Sequence, residues 1–331
     1  MNKVTLQDIA GICGVDISTV SRALRNDSCV TASSRKKIKE AAERLGYRPN
    51  LLARNLAGGK TKTFWFIMSS LDASIDYRIL RNASHYANEK DYFLFAALHD
   101  CDNFDPLKHP NLDHYKQLVE HAGQGLADGA IIMPRRSESD AAILSDLVRH
   151  KLPVVFLDNY VEELPVPVVT TDNQAAGYEL AKRCIQAGAS EAILLFREYN
   201  PVAAARLAGA IDALKELAIP FIDLHLSSED RLPDHQTDSV AILTSSQRHL
   251  HTFAVRNAGQ LNGRRLIFGT FDEWTGEPAP ADQVIVAVQD CETMASIAVD
   301  RLIALIERKN SDQPRITRVP ILGYKTIRKA F

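Results

Sequence analysis

Ser18, Thr19, Ser21 and Arg22 stand together in one short stretch, and their side chains suit a phosphodiester and a base edge. Hydroxyls hydrogen-bond phosphate oxygens, and a guanidinium can grip guanine with two parallel bonds in a major groove. An ordinary solvated helix would carry a Glu/Lys mixture there instead. Arg35, Lys36, Lys37 and Lys39 follow, and their charges suit contacts to a phosphate backbone. Residues 1–62 hold 12 Lys and Arg against 5 Asp and Glu, while the remainder holds 27 against 36. A basic head on an acidic body points to a polyanion partner for the head alone. The alternative is a helical cap with a solvated face, and the hydroxyl-rich stretch weighs against it.

Other chemistry is poorly served. His99, Asp100, Cys101, Asp102 and His109, and separately His249 and His251, could ligate a metal, but neither group has zinc-site spacing on a rigid frame. No metal and no cofactor are expected. Gly123, Gly125 and Gly129 precede the apolar run at 130–133 instead of following a strand, so they make no dinucleotide loop. Neither a GxxxxGK[ST] nor a GxSxG motif occurs, and an enzyme is not expected. The five cysteines are scattered without a CxxC pair, which favours reduced thiols in a cytosol. The first residues lack the apolar core of a signal peptide, and no apolar run approaches the roughly 20 residues that span a bilayer. A cytoplasmic protein with no membrane partner is the expectation.

Three short helices must position the head residues. Leu6, Ile9, Ala10 and Cys13 share one helical face, Thr5 and Asp8 can cap its start, and Gly14 ends it. Val20 and Leu24 line a second helix, and Ile38, Ala41, Ala42 and Leu45 a third over 33–45 that stops at Gly46. This is a helix-turn-helix. Pro49 and Asn50 then restart the chain for about two turns before Gly58 and Gly59. Such a segment is either a linker or a helix that orders only on DNA, since two turns are marginal alone. From Phe64 onward, apolar runs at 64–68, 92–97, 130–133, 154–157, 192–196, 240–243, 266–269 and 284–288 alternate with helical patterns near 77–90, 113–126, 140–150, 174–187, 202–217, 247–260 and 291–308. Fully apolar strands alternating with helices predict parallel sheets covered on both faces, and eight strands fit two α/β lobes.

Val4-Thr5-Leu6-Gln7-Asp8-Ile9-Ala10, Gly14-Val15, Ser18-Thr19-Val20-Ser21-Arg22-Ala23-Leu24, Leu45-Gly46-Tyr47-Arg48-Pro49-Asn50 and Ala53-Arg54 together resemble the signature of the LacI/GalR (lac-repressor) family of transcription regulators. The resemblance implies a homodimer on an inverted-repeat operator. It places Ile17, Ser18 and Arg22 against bases, and Thr5, Thr19, Ser21, Thr31 and Ser34 against the backbone. Asn50, Arg54, Leu56 and Ala57 would form a minor-groove element with Leu56 as wedge. Asp16 departs from the family's usual serine, and its carboxylate would repel a phosphate, so no contact is carried to it.

More weakly, Ala127-Asp128-Gly129-Ala130, Leu152-Pro153-Val154, Thr171-Asp172-Asn173, Arg206-Leu207-Ala208-Gly209 and Gly269-Thr270-Phe271-Asp272 resemble the family's sugar-sensing core, itself similar to periplasmic binding proteins. The implied architecture is an all-α helix-turn-helix head over 1–48, a hinge over 49–62, and an α/β core over 63–331 of two doubly wound parallel-sheet lobes. The first lobe takes 63–160 and 289–318, the second 161–288 and 319–331. Ligand roles fall on Asp158, Arg206 and Asp272. Thr244-Ser245-Ser246 stands where many members have Asn-Asp, and Gly188-Ala189-Ser190 where Gly-His is familiar. Those hydroxyls and the segment 71–79 resemble the fructose and sucrose repressor branch, which adds Asp72, Ser74 and Ser245 to the effector set. The tail at 325–331 carries no leucine heptads, so a dimer and not a tetramer is expected. The expected function is a repressor of sugar-utilisation genes governed by a sugar or sugar phosphate. The alternatives are a sugar-binding protein acting without DNA, for which a signal peptide would be the mark, and after it a sugar-processing enzyme.

Overall fold

The structure, a computed structural model, describes residues 4–48, 60–68, 71, 74–98, 112–134, 137–196, 200–224, 237–245, 250, 253, 255–261, 263–271, 281–309 and 312–328. It divides into two compact units, Met1–Thr61 and Lys62–Phe331.

The first unit holds α1 (Leu6–Cys13), α2 (Ile17–Leu24) and α3 (Ala32–Arg44). Thr5 accepts from the Asp8 N–H at 3.4 Å, and the Asp8 carboxylate takes the Thr5 N–H at 2.8 Å. This capping box satisfies two amides that the helix itself cannot. Gly14 closes α1 at φ 67°, a left-handed turn that glycine takes without strain. Ile9, Val20, Ala23 and Ile38 meet in the centre of a small core. Helix α3 begins at Ala32 because Thr31 takes the cap, accepting from the Ser34 N–H at 3.3 Å.

In chain order the second unit runs β1 (Thr63–Met68), α4 (Ser74–Glu89), β2 (Phe93–Leu98), α5 (Leu112–Gly123), β3 (Ala130–Ile132), α6 (Ser137–Arg149), β4 (Val154–Leu157), β5 (Val168–Thr171), α7 (Asn173–Gln186), β6 (Glu191–Leu195), α8 (Pro201–Glu216), β7 (Phe221–Asp223), β8 (Ser239–Thr244), α9 (Ala258–Leu261), β9 (Arg265–Phe271), β10 (Gln283–Val288), α10 (Cys291–Ile306), β11 (Ile316–Val319) and β12 (Gly323–Arg328). The strands form two six-stranded sheets, β11-β5-β4-β3-β1-β2 and β12-β10-β9-β8-β6-β7. The first is parallel throughout, and the second has β12 antiparallel to β10. Apolar clusters line both faces of each sheet, so the central strands are apolar at nearly every position.

Four strands add to the eight expected. β5, β7 and β11 are three or four residues long, too short to stand out as apolar runs. β12 is a largely exposed edge strand, so GYKTIR carries no apolar run. It runs antiparallel because it enters the second sheet from the crossover: Gly323 sits opposite Val288, where β10 ends. The lobe boundary expected at 160 is corrected by β5, which pairs with β4 and β11 and keeps the first lobe going to Thr171. Without β5 the edge of β4 would be left open, with its backbone groups unpaired. The returning segment likewise extends through Val319.

The chain crosses between lobes after β5, after β10 and after β11, and the three crossings are tied together. Asp172 N–H donates to the Val319 carbonyl at 2.8 Å, and Leu322 N–H to the Val288 carbonyl at 2.9 Å. The Thr171 hydroxyl donates to Gln289 Oε1 at 2.5 Å, with both side chains buried. Arg301 of α10 holds β11 in place, donating to Thr317 Oγ1 at 2.8 Å and to the carbonyls of Val168 at 3.0 Å and Pro314 at 2.6 Å. Burial pulls its pKa down, and these acceptors offset part of that desolvation. Within the second lobe, α7 and α8 touch backbone to backbone at Gly177 and Gly209. A methyl at Gly177 would collide with the Arg206 carbonyl, and one at Gly209 with the Gln174 carbonyl.

Candidate nucleic-acid interface and interlobe site

Helix α2 has two distinct faces. Val20 and Ala23 are buried in the head core, while Ser18 and Arg22 are exposed and Thr19 and Ser21 half-buried. Ile17 is 46% exposed at the first turn, a large apolar side chain in water among hydroxyls. That combination can do what base reading needs: a methyl-bearing surface for thymine, hydroxyls, and a guanidinium for guanine. Asp16 occupies the cap position of α2 but makes no capping hydrogen bond.

Three of the five residues expected to meet the backbone sit at helix starts, where free N–H groups favour anions. Thr5 heads α1, and Thr31 and Ser34 head α3. Their hydroxyls already have local partners. Thr5 donates to Asp8 Oδ2 at 2.8 Å and Thr31 donates to Ser34 Oγ at 2.9 Å. The Thr5 backbone N–H, with help from its hydroxyl, holds the Asp8 carboxyl below the usual carboxylate range. Two of the four expected cations are also engaged within the head. Arg35 donates to the carbonyls of Asp27 at 2.8 Å and Val30 at 2.9 Å, and Lys37 to the Cys13 carbonyl at 3.2 Å. Lys36 and Lys39 stand exposed on α3. Asn50, Arg54, Leu56 and Ala57 lie outside the described residues, so the hinge expectation is carried by sequence alone.

In the core, Arg206 is 4% exposed on α8, a helix opened by Pro201 and capped by Asn200, which accepts from the Ala203 N–H at 2.8 Å. Its Nε donates to Asn173 Oδ1 at 2.7 Å, and its Nη1 to the Ser245 carbonyl at 3.3 Å. The guanidinium carbon lies 3.9 Å from the centre of the Phe271 ring, within cation–π range. Arg206 and Ser245 are thus brought together at the carboxyl ends of the second sheet, the region of an open α/β sheet where ligands bind. Asp158 follows β4 at φ 64°, a conformation uncommon for a residue with a side chain. Its N–H donates to the Val169 carbonyl at 2.9 Å and its carbonyl accepts from the Thr170 hydroxyl at 2.6 Å. Ser74 is half-buried at the start of α4 and lies outside this chain of bonds. Asp72 and Asp272 are outside the described residues.

Sequence reasoning passed over Asn173, Thr170 and Phe271. The first and last sit inside quoted motifs, yet their pairing with Arg206 depends on folding across more than thirty residues and has no local signal. Among the described residues, no group of three or more His, Cys, Asp or Glu gathers to hold a metal ion, and no helix is long and apolar enough to cross a membrane. His99, Asp100, Cys101, Asp102, His109, His249 and His251 lie outside those residues.

The comparisons with known proteins agree with this geometry. Residues 5–50 match the family described as bacterial regulatory proteins, lacI family, and residues 107–249 match the periplasmic binding proteins and sugar binding domain of the LacI family. The HTH-type transcriptional regulator RegA of Clostridium saccharobutylicum is 28% identical over 184 residues, 56% of this chain and 52% of that protein. The chain therefore spans about half the length of that curated relative. The lac repressor dimer bound to operator and the anti-inducer ONPF superposes with a TM-score of 0.72 at 20% identity, covering 99% of this chain and 98% of that one. The Cra transcriptional dual regulator of Pseudomonas putida in complex with fructose 1-phosphate gives 0.62 at 21% identity, covering 82% of this chain and 99% of that one. At such identities the superpositions establish the fold, while the matched segments establish the lineage. On its helix-turn-helix and its two-lobed core together, the chain belongs to the lacI family of bacterial regulatory proteins.

Proposed function

We propose that this chain is a sequence-specific DNA-binding transcriptional regulator, a repressor of sugar-utilisation genes, that works as a cytoplasmic homodimer. A sugar or sugar phosphate bound between the core lobes sets its affinity for an inverted-repeat operator. It acts by binding and not by turnover. The observation that carries the reading is the α2 surface, where Ile17, Ser18 and Arg22 stand in water on a helix whose opposite face is locked into the head core. Support for the effector comes from the buried guanidinium of Arg206 at the sheet ends, and from the ligand-bound relatives among the superposed structures.

Selection from random duplexes should return an inverted repeat whose affinity falls steeply with salt, because each phosphate contact releases counterions. Equal affinity for that repeat and for random DNA would sink the reading. A thermal-shift panel of sugars and sugar phosphates, with D-fructose and D-fructose 1-phosphate included, should contain a stabilising ligand; at a hundred times its Kd the gain is about 2.7 kcal/mol. Arg206→Ala should abolish that shift and leave operator affinity within about threefold, since head and core sites carry separate binding energies. Loss of operator binding in a folded, dimeric Arg206→Ala protein would show that Arg206 supports the DNA-competent form and not the ligand.

A further inference from the structure

We propose that Asn173 is a positioning residue that couples the Arg206 guanidinium to the first lobe, so that a ligand in the cleft is registered at the lobe crossover. The proposal rests on the effector reading above. Asn173 is the first residue of α7, directly after the first crossing, and it is 5% exposed. Toward the second lobe, its Oδ1 accepts from Arg206 Nε at 2.7 Å. Toward the first lobe, its Nδ2 donates to Thr170 Oγ1 at 3.1 Å and to the Thr171 carbonyl at 3.0 Å. The Thr170 hydroxyl in turn donates to the Asp158 carbonyl at 2.6 Å. An unbroken chain of bonds therefore runs from the Ser245 carbonyl through Arg206, Asn173 and Thr170 to Asp158, joining the ends of β8 and β4 in different lobes.

The chemistry of this chain admits one polarity. An arginine Nε only donates, so the asparagine oxygen must face it and the amide NH2 must face Thr170. With that lone pair occupied, the threonine hydroxyl has only the Asp158 carbonyl to receive its hydrogen. Asparagine is suited to the position because it offers an acceptor on one side and two donors on the other; aspartate would lack the donors and leucine would lack both. Such a buried network is costly to satisfy in part, so a shift at one end favours a matching shift at the other. The glycine contact stiffens the coupling. With Gly177 against the Arg206 carbonyl and Gly209 against the Gln174 carbonyl, α8 cannot reorient without carrying the start of α7 with it. That start is also where Asp172 and Thr171 meet the other two crossings. A ligand that draws on the guanidinium thus acts on Asn173, whose side chain bonds both Arg206 and Thr170.

The test separates ligand affinity from coupling. The selected operator is titrated with and without each member of the sugar and sugar-phosphate panel, using the full-length dimer, and the ratio of the two affinities is read. In wild type a coupling of the usual size gives a ratio of about 5–150. Thr170→Val keeps the Arg206–Asn173 bond and the bond from Asn173 to the Thr171 carbonyl but removes the branch that reaches Asp158. It should bind the active panel member within about threefold of wild type while its ratio falls toward one. Thr170→Ser retains the hydroxyl and should restore the ratio. Asn173→Ala should lose the ratio and weaken the ligand as well. Melting temperatures within a few degrees in the valine and serine variants set the coupling loss apart from general destabilisation. A wild-type ratio in Thr170→Val and Asn173→Ala overturns the proposal alone, as does a Thr170→Ser variant that fails to recover it. A wild type that no panel member affects overturns the effector reading, and this proposal with it.

Discussion

In the first unit Ser18 and Arg22 face solvent from a helix of eight residues, whereas in the second Arg206, Asn173 and Thr170 are buried and bonded to one another. Both sets are polar, but their desolvation is distributed differently. The exposed groups of the head keep their water, which any partner must displace, so only the difference between the old and the new hydrogen bonds is gained on binding. The core has already desolvated its groups and matched them internally, so a ligand there must exchange one set of hydrogen bonds for another. An exposed set suits recognition, while a buried matched set suits a switch between arrangements. The same residue type illustrates the contrast: Arg22 is exposed to solvent, Arg206 is locked to Asn173, and Arg301 staples a strand.

The comparison can be broken most forcefully at the helix crossing. Gly177→Ala should destabilise the core by about 3 kcal/mol, since the new methyl meets a carbonyl that cannot yield. The head, a separate compact unit, should keep its own unfolding transition. Calorimetry showing an unchanged core transition would mean that the close approach is not part of the folded state. A smaller effect is expected at the recognition surface. Arg22→Ala should weaken operator binding by about 1–3 kcal/mol and relax the preference at one base pair per half-site, with ligand affinity in the core unchanged. Uniform weakening across all sequences would reassign Arg22 to a phosphate. The smallest effect belongs to the caps. Thr5→Ala should cost the head about 1 kcal/mol, read as a lower melting temperature of that unit. Because Asp8 has a pKa depressed below its ordinary 3.8, the stability it adds is present above that value and fades as pH falls through the folded pKa. Thr5→Ala should therefore matter less in strong acid, and an equal loss at every pH would remove Asp8 from the account.

How much could be read in advance follows the same division. The head is legible because its determinants are local: Leu6, Ile9, Ala10 and Cys13 mark a face by spacing, Thr5 and Asp8 are three apart, and Gly14 is the end. The assignment of Arg35 and Lys37 to phosphate did not include their internal acceptors, because the carbonyl of Val30 is offered by the turn before α3 and that of Cys13 by the last residue of α1, and neither belongs to a motif. In the core the apolar strands announce themselves, but the polar edge strand β12 and the short β5 do not, and with β5 went the lobe boundary. Arg206 could be singled out by its motif. Its bond to Asn173 could not, since only the crossing of α7 over α8 brings them together.

The first lobe is discontinuous along the chain: α10 and β11, which complete it, come after all of the second sheet except β12. As the protein emerges during synthesis, Phe64, Ile79 and Ala83 are made early, but Met294 and Ala298, which cover the same cluster, arrive only near the end. The apolar face beneath α10 therefore stays open to water for most of translation, a window in which partly built chains can associate wrongly. The second lobe intervenes as an insertion between the two parts of the first, and the many sequence-distant contacts this creates make closure of the first lobe slow. Nor can either lobe be excised as a single stretch of chain: a fragment ending before residue 291 would lack α10 and β11 from the first lobe and β12 from the second.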